Sequence, residues 1–306
     1  MSISMPSRIF IYYFVLITAT YLFFFSSSSL RADEAILQAP SRLEAGDPAL
    51  VKFLLPVKPG SVPPVMLFME REFPIYPLAD NQGWAGIIGA DLRAEPGEYI
   101  LSLRQTDQIL ARRNIVVAAR SGGARDIRVD DKYVSPPDQV IERIKAESQR
   151  QNDVYLLNTS PVFWTDGLLT PLNSAVVGKF GRSSIINGQP RSPHGGVDLR
   201  GAPGTAVKCP AEGRVVLAMD TYFSGLLVLL DHGQGLISGY RHLSKILVNE
   251  GDMLTQGQII GLVGATGRVT GPHLHFDIHL KNATIDPLKF VRLSLELAAL
   301  IQDKNR

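Results

Sequence analysis

The sequence predicts a mainly β protein with two β domains joined by a short helix. Three observations carry this. Short apolar or alternating runs, separated by turn residues, recur from Asp33 to Arg120. From Val177 onward, apolar runs are again separated by glycine turns, without the strand–helix alternation of a doubly wound sheet. Pro272 to His279 alternates so regularly that His273, His275, Asp277 and His279 share one face of a strand, with Leu274, Phe276, Ile278 and Leu280 on the other.

The front block, 33–120, reads as an antiparallel β-sandwich of immunoglobulin-like type. Its strands are expected at Ala49–Leu55, Val65–Met69, Trp84–Ile88, Tyr99–Arg104 and Arg113–Ala119, between turns such as Gly46-Asp47-Pro48 and Glu95-Pro96-Gly97. It holds neither histidine nor a paired-carboxylate cluster, which makes it a structural or positioning module. Residues 121–170 form a linker. Ser135-Pro136-Pro137-Asp138 predicts a helix start, with Ser135 as N-cap and Val140, Ile141 and Ile144 on one apolar face of a helix over about 136–151. A second β domain is expected over 171–292, followed by a tail, 293–306.

Composition narrows the function. The 306 residues suffice for two domains, with 45% hydrophobic and 20% charged residues. The net charge of +2 and the lack of a basic run give no case for nucleic acid. One cysteine, Cys209, excludes an internal disulfide framework and a cysteine zinc cluster and reads as a small core residue. At the N-terminus, Arg8 precedes an apolar run from Ile9 to Phe25, then serines and Leu30-Arg31-Ala32. This is the order of an export signal over 1–32, with cleavage after Ala32; an uncleaved membrane anchor is the alternative. Either way the remainder is exported, to the periplasm or cell envelope.

All six histidines lie between His194 and His279. A hydrolytic zinc site needs three protein ligands and an open position, which gives it the Lewis acidity to activate water near neutral pH. His194 and Asp198, flanking a glycine turn, with one histidine of the 273–279 strand, supply such a set. The spacing does not decide between His273 and His275. His-x-x-x-Asp alone is a weak signal, whereas His-x-His is stronger because histidine is scarce and a strand makes the two side chains converge.

From about Phe180 to Phe290 the chain resembles the lysostaphin/LytM-type zinc metallopeptidases, which cut peptide bonds in bacterial cell walls. The resemblance rests on Asn187 to Asp198, Asp231-His232-Gly233, Tyr240-Arg241-His242-Leu243-Ser244, Gly264-Ala265-Thr266-Gly267 and Gly271-Pro272-His273-Leu274-His275-Phe276. It implies zinc ligands His194, Asp198 and His275, with His242 and His273 catalytic beside the metal. Asp277 stands where many members carry Glu and suits a supporting hydrogen bond. His232 is expected to be structural and His279 an exposed edge residue. The loop Gly181–Pro193 and the turn Gly267–Gly271 are expected to wall a substrate groove.

The function so implied is an exported zinc endopeptidase acting on the peptide stems of peptidoglycan. Its alternative is a catalytically silent module of the same fold that binds the wall and activates another hydrolase, although such modules typically lack some metal residues. A third reading, wall or carbohydrate binding, falls on the front sandwich.

Overall fold

The computed structural model describes residues 37–55, 60 and 62–302. The export signal over 1–32 lies outside them. Among the described residues no helix is long and apolar enough to cross a membrane.

The front block is two packed sheets. One holds Leu37–Gln38, Pro48–Phe53, Trp84–Gly89 and Tyr76–Pro77; the other holds Arg42–Glu44, Gln108–Ala118, Gly97–Gln105, Val65–Phe68 and Arg71–Phe73. Alternation drives the burial. Val51, Phe53, Met66, Phe68, Leu101, Leu103 and Ile115 are sealed inside, while Lys52 and Leu67 between them are only partly buried. One pair departs from the antiparallel expectation: Arg42–Glu44 runs parallel to Val116–Ala118. The chain leaves the first sheet after Gln38 and joins the second at Arg42, so it arrives in the direction of the last strand.

The second domain is built on a ten-stranded sheet whose pairs are antiparallel. The strand His273–Leu280 lies between Val197–Arg200 and Leu236–Ile246. Leu274, Phe276 and Ile278 are fully buried on its apolar side, as the alternation predicts. Cys209 is likewise buried and free.

Two connecting elements differ from expectation. The linker helix runs Asp138–Tyr155, four residues beyond the expected end, and starts at Pro137 without a side-chain cap. Its anchor is Glu147 rather than the Val140–Ile144 face: Tyr222 N donates to Glu147 at 2.8 Å, and Arg143 Nε donates to it at 2.5 Å. Residues 287–301, mostly within the expected tail, form the helix Pro287–Ile301, whose N-cap Asp286 accepts from the backbone N–H groups of Leu288 and Lys289. Phe290, Val291, Leu297 and Ala298 are buried, and Trp164 sits between Tyr76 of the front block and Phe290 at centroid distances of 5.9 and 5.5 Å. Backbone hydrogen bonds from Leu92 N to Thr284 O and from Asp286 N to Gly46 O join the two domains at 3.0 and 2.8 Å.

Upstream of the linker helix, Ala124–Ile127 pairs in parallel with Ser183–Ile186, which turns back as Gln189–Arg191. Residues of this small sheet line the same cavity as His273 and His275, described next.

Candidate active site and metal centre

Strand register brings the predicted ligands together. Asp198 lies directly opposite His275, and Arg241 lies opposite His275 on its other side. His194 enters from the turn before Val197–Arg200; its Nε2 is 3.0 Å from Asp198 Oδ1 and 3.0 Å from His275 Nδ1. His275 Nδ1 is in turn 3.0 Å from Asp198 Oδ1. The three side chains thus offer one ligand atom each in a compact triangle, all within 4.8 Å of one another. Its edges are close to the roughly 3.3 Å separating vertices of a tetrahedron with ~2.0–2.1 Å arms, so the donor set fits a zinc-sized cation with one side open.

The second nitrogen of the His194 and His275 rings is occupied. His194 Nδ1 donates to Lys179 O at 3.0 Å, and His275 Nε2 faces Asp277 Oδ1 at 3.5 Å. These contacts turn the other nitrogen of each ring toward the cluster, as metal-binding imidazoles require. Burial tends to raise the Asp198 pKa, but hydrogen bonds from His194 and His275 outweigh it and hold the carboxyl well below its usual range. Two glycines make room. A Cβ on Gly178 would lie 2.0 Å from Asp198 Oδ2, and one on Gly196 would lie 2.7 Å from His275 Nε2.

His242 and His273 stand beside this triangle, their rings 5.1 Å apart. His242 occupies a β-bulge in Leu236–Ile246, where the register shifts against Leu226–Val228, and has φ +64°. The bulge re-aims its ring, a known use of such irregularities next to active sites. Its Nδ1 donates to Thr266 O at 2.9 Å, and that of His273 donates to Gly271 O at 2.8 Å. A carbonyl can only accept, so each ring keeps an unprotonated Nε2 when neutral. For His242, burial and then the charges of His275 and His273 push the pKa down to about 3. It is neutral at pH 7, and its free nitrogen can accept a proton or a hydrogen bond.

Asp277 and His279, on the same strand face, fare differently from each other. Asp277 is buried, and Arg241 Nε donates to it at 2.7 Å. Burial tends to raise its pKa, but Arg241 and His275 hold it far below the carboxylate range. His279 is not an exposed edge residue. It stacks on Tyr155 at 3.7 Å, and burial lowers its pKa to about 4. The overlong linker helix is what covers it. His232 is fully buried between Glu212 O and Ser238 Oγ at 2.7 Å each, a structural position as expected.

Above the triangle lies a cavity of ≈ 400 Å³. Ser184, Ile186 and Arg191 to Pro193 form one wall, and Arg268 to Thr270 another, as expected of those two segments. Arg125, Ile127 and Val129 of the linker complete it, a contribution not foreseen because it depends on a strand pairing distant in sequence. Arg241 was also unassigned in sequence. It binds Asp277, Gln151 and Tyr155 behind the metal triangle. The signal was there: an arginine inside a strand, between Tyr240 and His242.

Peptidase family M23 matches residues 192–287. The chain is 41% identical over 98 residues to Peptidoglycan DD-endopeptidase ShyA of Vibrio cholerae, covering 32% of this chain and 23% of that protein. It is 34% identical over 104 residues to DD-carboxypeptidase/endopeptidase Mpg of Neisseria meningitidis, covering 34% and 24%. The matched stretch thus spans about a quarter of these curated relatives. A solved structure from Pseudomonas aeruginosa, described as a candidate peptidase M23, is 28% identical, with a TM-score of 0.62. That likeness covers 81% of this chain and 93% of the other.

Proposed function

We propose that this chain, which belongs to Peptidase family M23 through residues 192–287, is an exported zinc endopeptidase that hydrolyses peptide bonds in peptidoglycan cross-links. The observation that carries the reading is the triangle of His194 Nε2, Asp198 Oδ1 and His275 Nδ1, with two further histidines whose free nitrogens adjoin it. Relatives named as peptidoglycan DD-endopeptidases support the substrate. Those three atoms are assigned as the zinc ligands. When bound, zinc supplies Lewis acidity, which makes water a competent nucleophile near neutral pH and polarises a carbonyl.

The chain's own residues do the rest. His242 and His273, each anchored through Nδ1 to a backbone carbonyl, hold Nε2 toward the reacting centre. The unprotonated Nε2 of one takes the proton of the attacking water, and the imidazolium so formed gives it to the leaving amine as the C–N bond of the tetrahedral intermediate breaks; the unprotonated Nε2 of the other accepts a hydrogen bond that orients the water. Asp277 fixes the His275 ring, and Arg241 fixes Asp277. The groove walls hold an extended peptide over the open side of the triangle.

The test is incubation of the protein with purified peptidoglycan, with and without a chelator. Soluble peptides are expected to be released, the release abolished by chelation and restored by zinc. Release that persists after zinc removal would overturn the reading.

A further inference from the structure

We propose that Arg191 and Arg268 form a clamp in the catalytic groove for a free carboxylate on the substrate peptide, making them specificity determinants. This rests on the endopeptidase reading above and names what its groove selects. Four arginines line the cavity: Arg125, Arg191, Arg241 and Arg268. Asp198 is its lining carboxylate, and that group is engaged in the metal triangle. Arg241 is neutralised by Asp277 from behind. Among the described residues, neither Arg191 nor Arg268 has a carboxylate partner.

Both guanidinium groups are held in place. Arg268 lies over the Phe223 ring at 4.8 Å, and its backbone N–H donates to Phe223 O at 2.9 Å. The preceding Gly267, at φ +74°, makes the tight approach to Gly225 that aims this turn. Arg191 Nη2 donates to Val134 O at 3.2 Å and to Gln189 Oε1 at 3.0 Å, while its Nε is buried with no partner. Burial, then the like charge of Arg191, lowers the Arg268 pKa, so the two charges share one partly dehydrated space. Two such cations without a counter-ion are costly unless an anion joins them. A carboxylate fits their planar, multi-donor geometry better than any neutral group. Wall peptides present such a carboxylate either at a chain terminus or on a side chain.

The test measures binding and cleavage by the zinc-loaded protein of a synthetic cross-linked stem-peptide dimer. The dimer is made in three forms: free carboxylates, side-chain carboxamide and terminal carboxamide. The wild type is expected to favour the free form about tenfold to a hundredfold in kcat/KM, mostly through KM, the scale of charge-assisted hydrogen bonds. Whichever amide loses the preference identifies the carboxylate. Arg268→Gln and Arg191→Gln are expected to bring the ratio of free to amidated substrate close to one, with Arg268→Lys restoring part of it. Variants that weaken all three dimers equally, or that keep the wild-type ratio, would overturn the clamp. If the wild type cleaves none of the dimers, the endopeptidase reading falls; the clamp is then decided by direct binding, where preference for the free form supports it and indifference sinks it.

Discussion

The front sandwich and the catalytic sheet are both β structures with apolar cores, yet they bury polar groups very differently. Among the described residues, the buried polar or charged ones are Ser102, Glu147, Thr221, Asp231, His232, Ser238, His242, Asp277 and Ser294. Of these, Ser102 alone lies in the front sandwich; six lie in the catalytic sheet and the turns that join its strands. A sandwich held by apolar burial has no internal state to lose other than its packing. A sheet that buries a carboxylate, an arginine and several imidazoles must keep each partnered, and so it couples its stability to its chemistry.

The sharpest way to break that comparison is to cut a contact that serves both the stability of the second sheet and its metal triangle. Asp277→Leu keeps the side-chain size but removes the acceptor for Arg241 and His275. Leaving Arg241 buried without its partner should cost about 3–5 kcal/mol in stability. Loosening the His275 ring should weaken zinc affinity about tenfold to a hundredfold. Urea unfolding and competition with a chromophoric chelator read the two effects separately. Were zinc affinity to stay at the wild-type value, Asp277 would be a purely structural partner of Arg241.

The counterpart in the other region is Leu103→Ala, which opens a cavity in the fully buried front core. It should cost about 2–5 kcal/mol of stability. Zinc affinity and turnover per folded molecule should not change, because the strand that carries Leu103 contributes no residue to the triangle. A parallel loss of zinc affinity would mean that the front sandwich, through Leu92, Gly46 and the helix Pro287–Ile301, holds the site in shape as well as flanking it.

The same contrast explains what was legible in the sequence. Front strands such as Val65–Phe68 and Trp84–Gly89 fell within a residue of their expected limits, since alternation is a local signal. That His194, Asp198, His242, His273 and His275 would come together was legible because histidine is scarce and a strand at 273–279 fixes which side chains converge. The choice of His275 rather than His273 as the proposed ligand came from the family resemblance. Three features depended on contacts remote in sequence and were missed. Ala124–Ile127 enters the groove wall only through its pairing with Ser183–Ile186. His279 is covered only because the linker helix continues to Tyr155. Arg191 and Arg268 meet only in the folded groove. The C-terminal helix is a different case: Asp286-Pro287 as cap and first turn, with apolar residues at 290, 291, 297 and 298, was a local signal that the expected tail overlooked.

The smallest effect concerns pH and the catalytic sheet away from its metal. His232 is sealed between Glu212 O, to which Nδ1–H donates, and Ser238 Oγ, whose hydroxyl donates to Nε2. Tyr240 Oη lies 2.7 Å from the same Ser238 oxygen and donates to it. With a neutral imidazole the donors run from Tyr240 to Ser238 to Nε2; a proton on Nε2 would require both hydroxyls to turn around and would leave a charge in a fully buried site. Burial, outweighing the carbonyl of Glu212 and the charge of Asp231, lowers the His232 pKa below its ordinary value. The sign follows by linkage: the unfolded chain takes up this proton more readily, near pH 6.5, than the folded one. The contribution of His232 is therefore complete above about pH 6.5 and is lost as pH falls toward the folded-state pKa. His232→Asn should be less stable than the wild type at pH 8, yet lose less stability between pH 7 and pH 5 as read by urea midpoints. Equal losses in the two proteins would assign the acid sensitivity to other groups and leave His232 as packing alone.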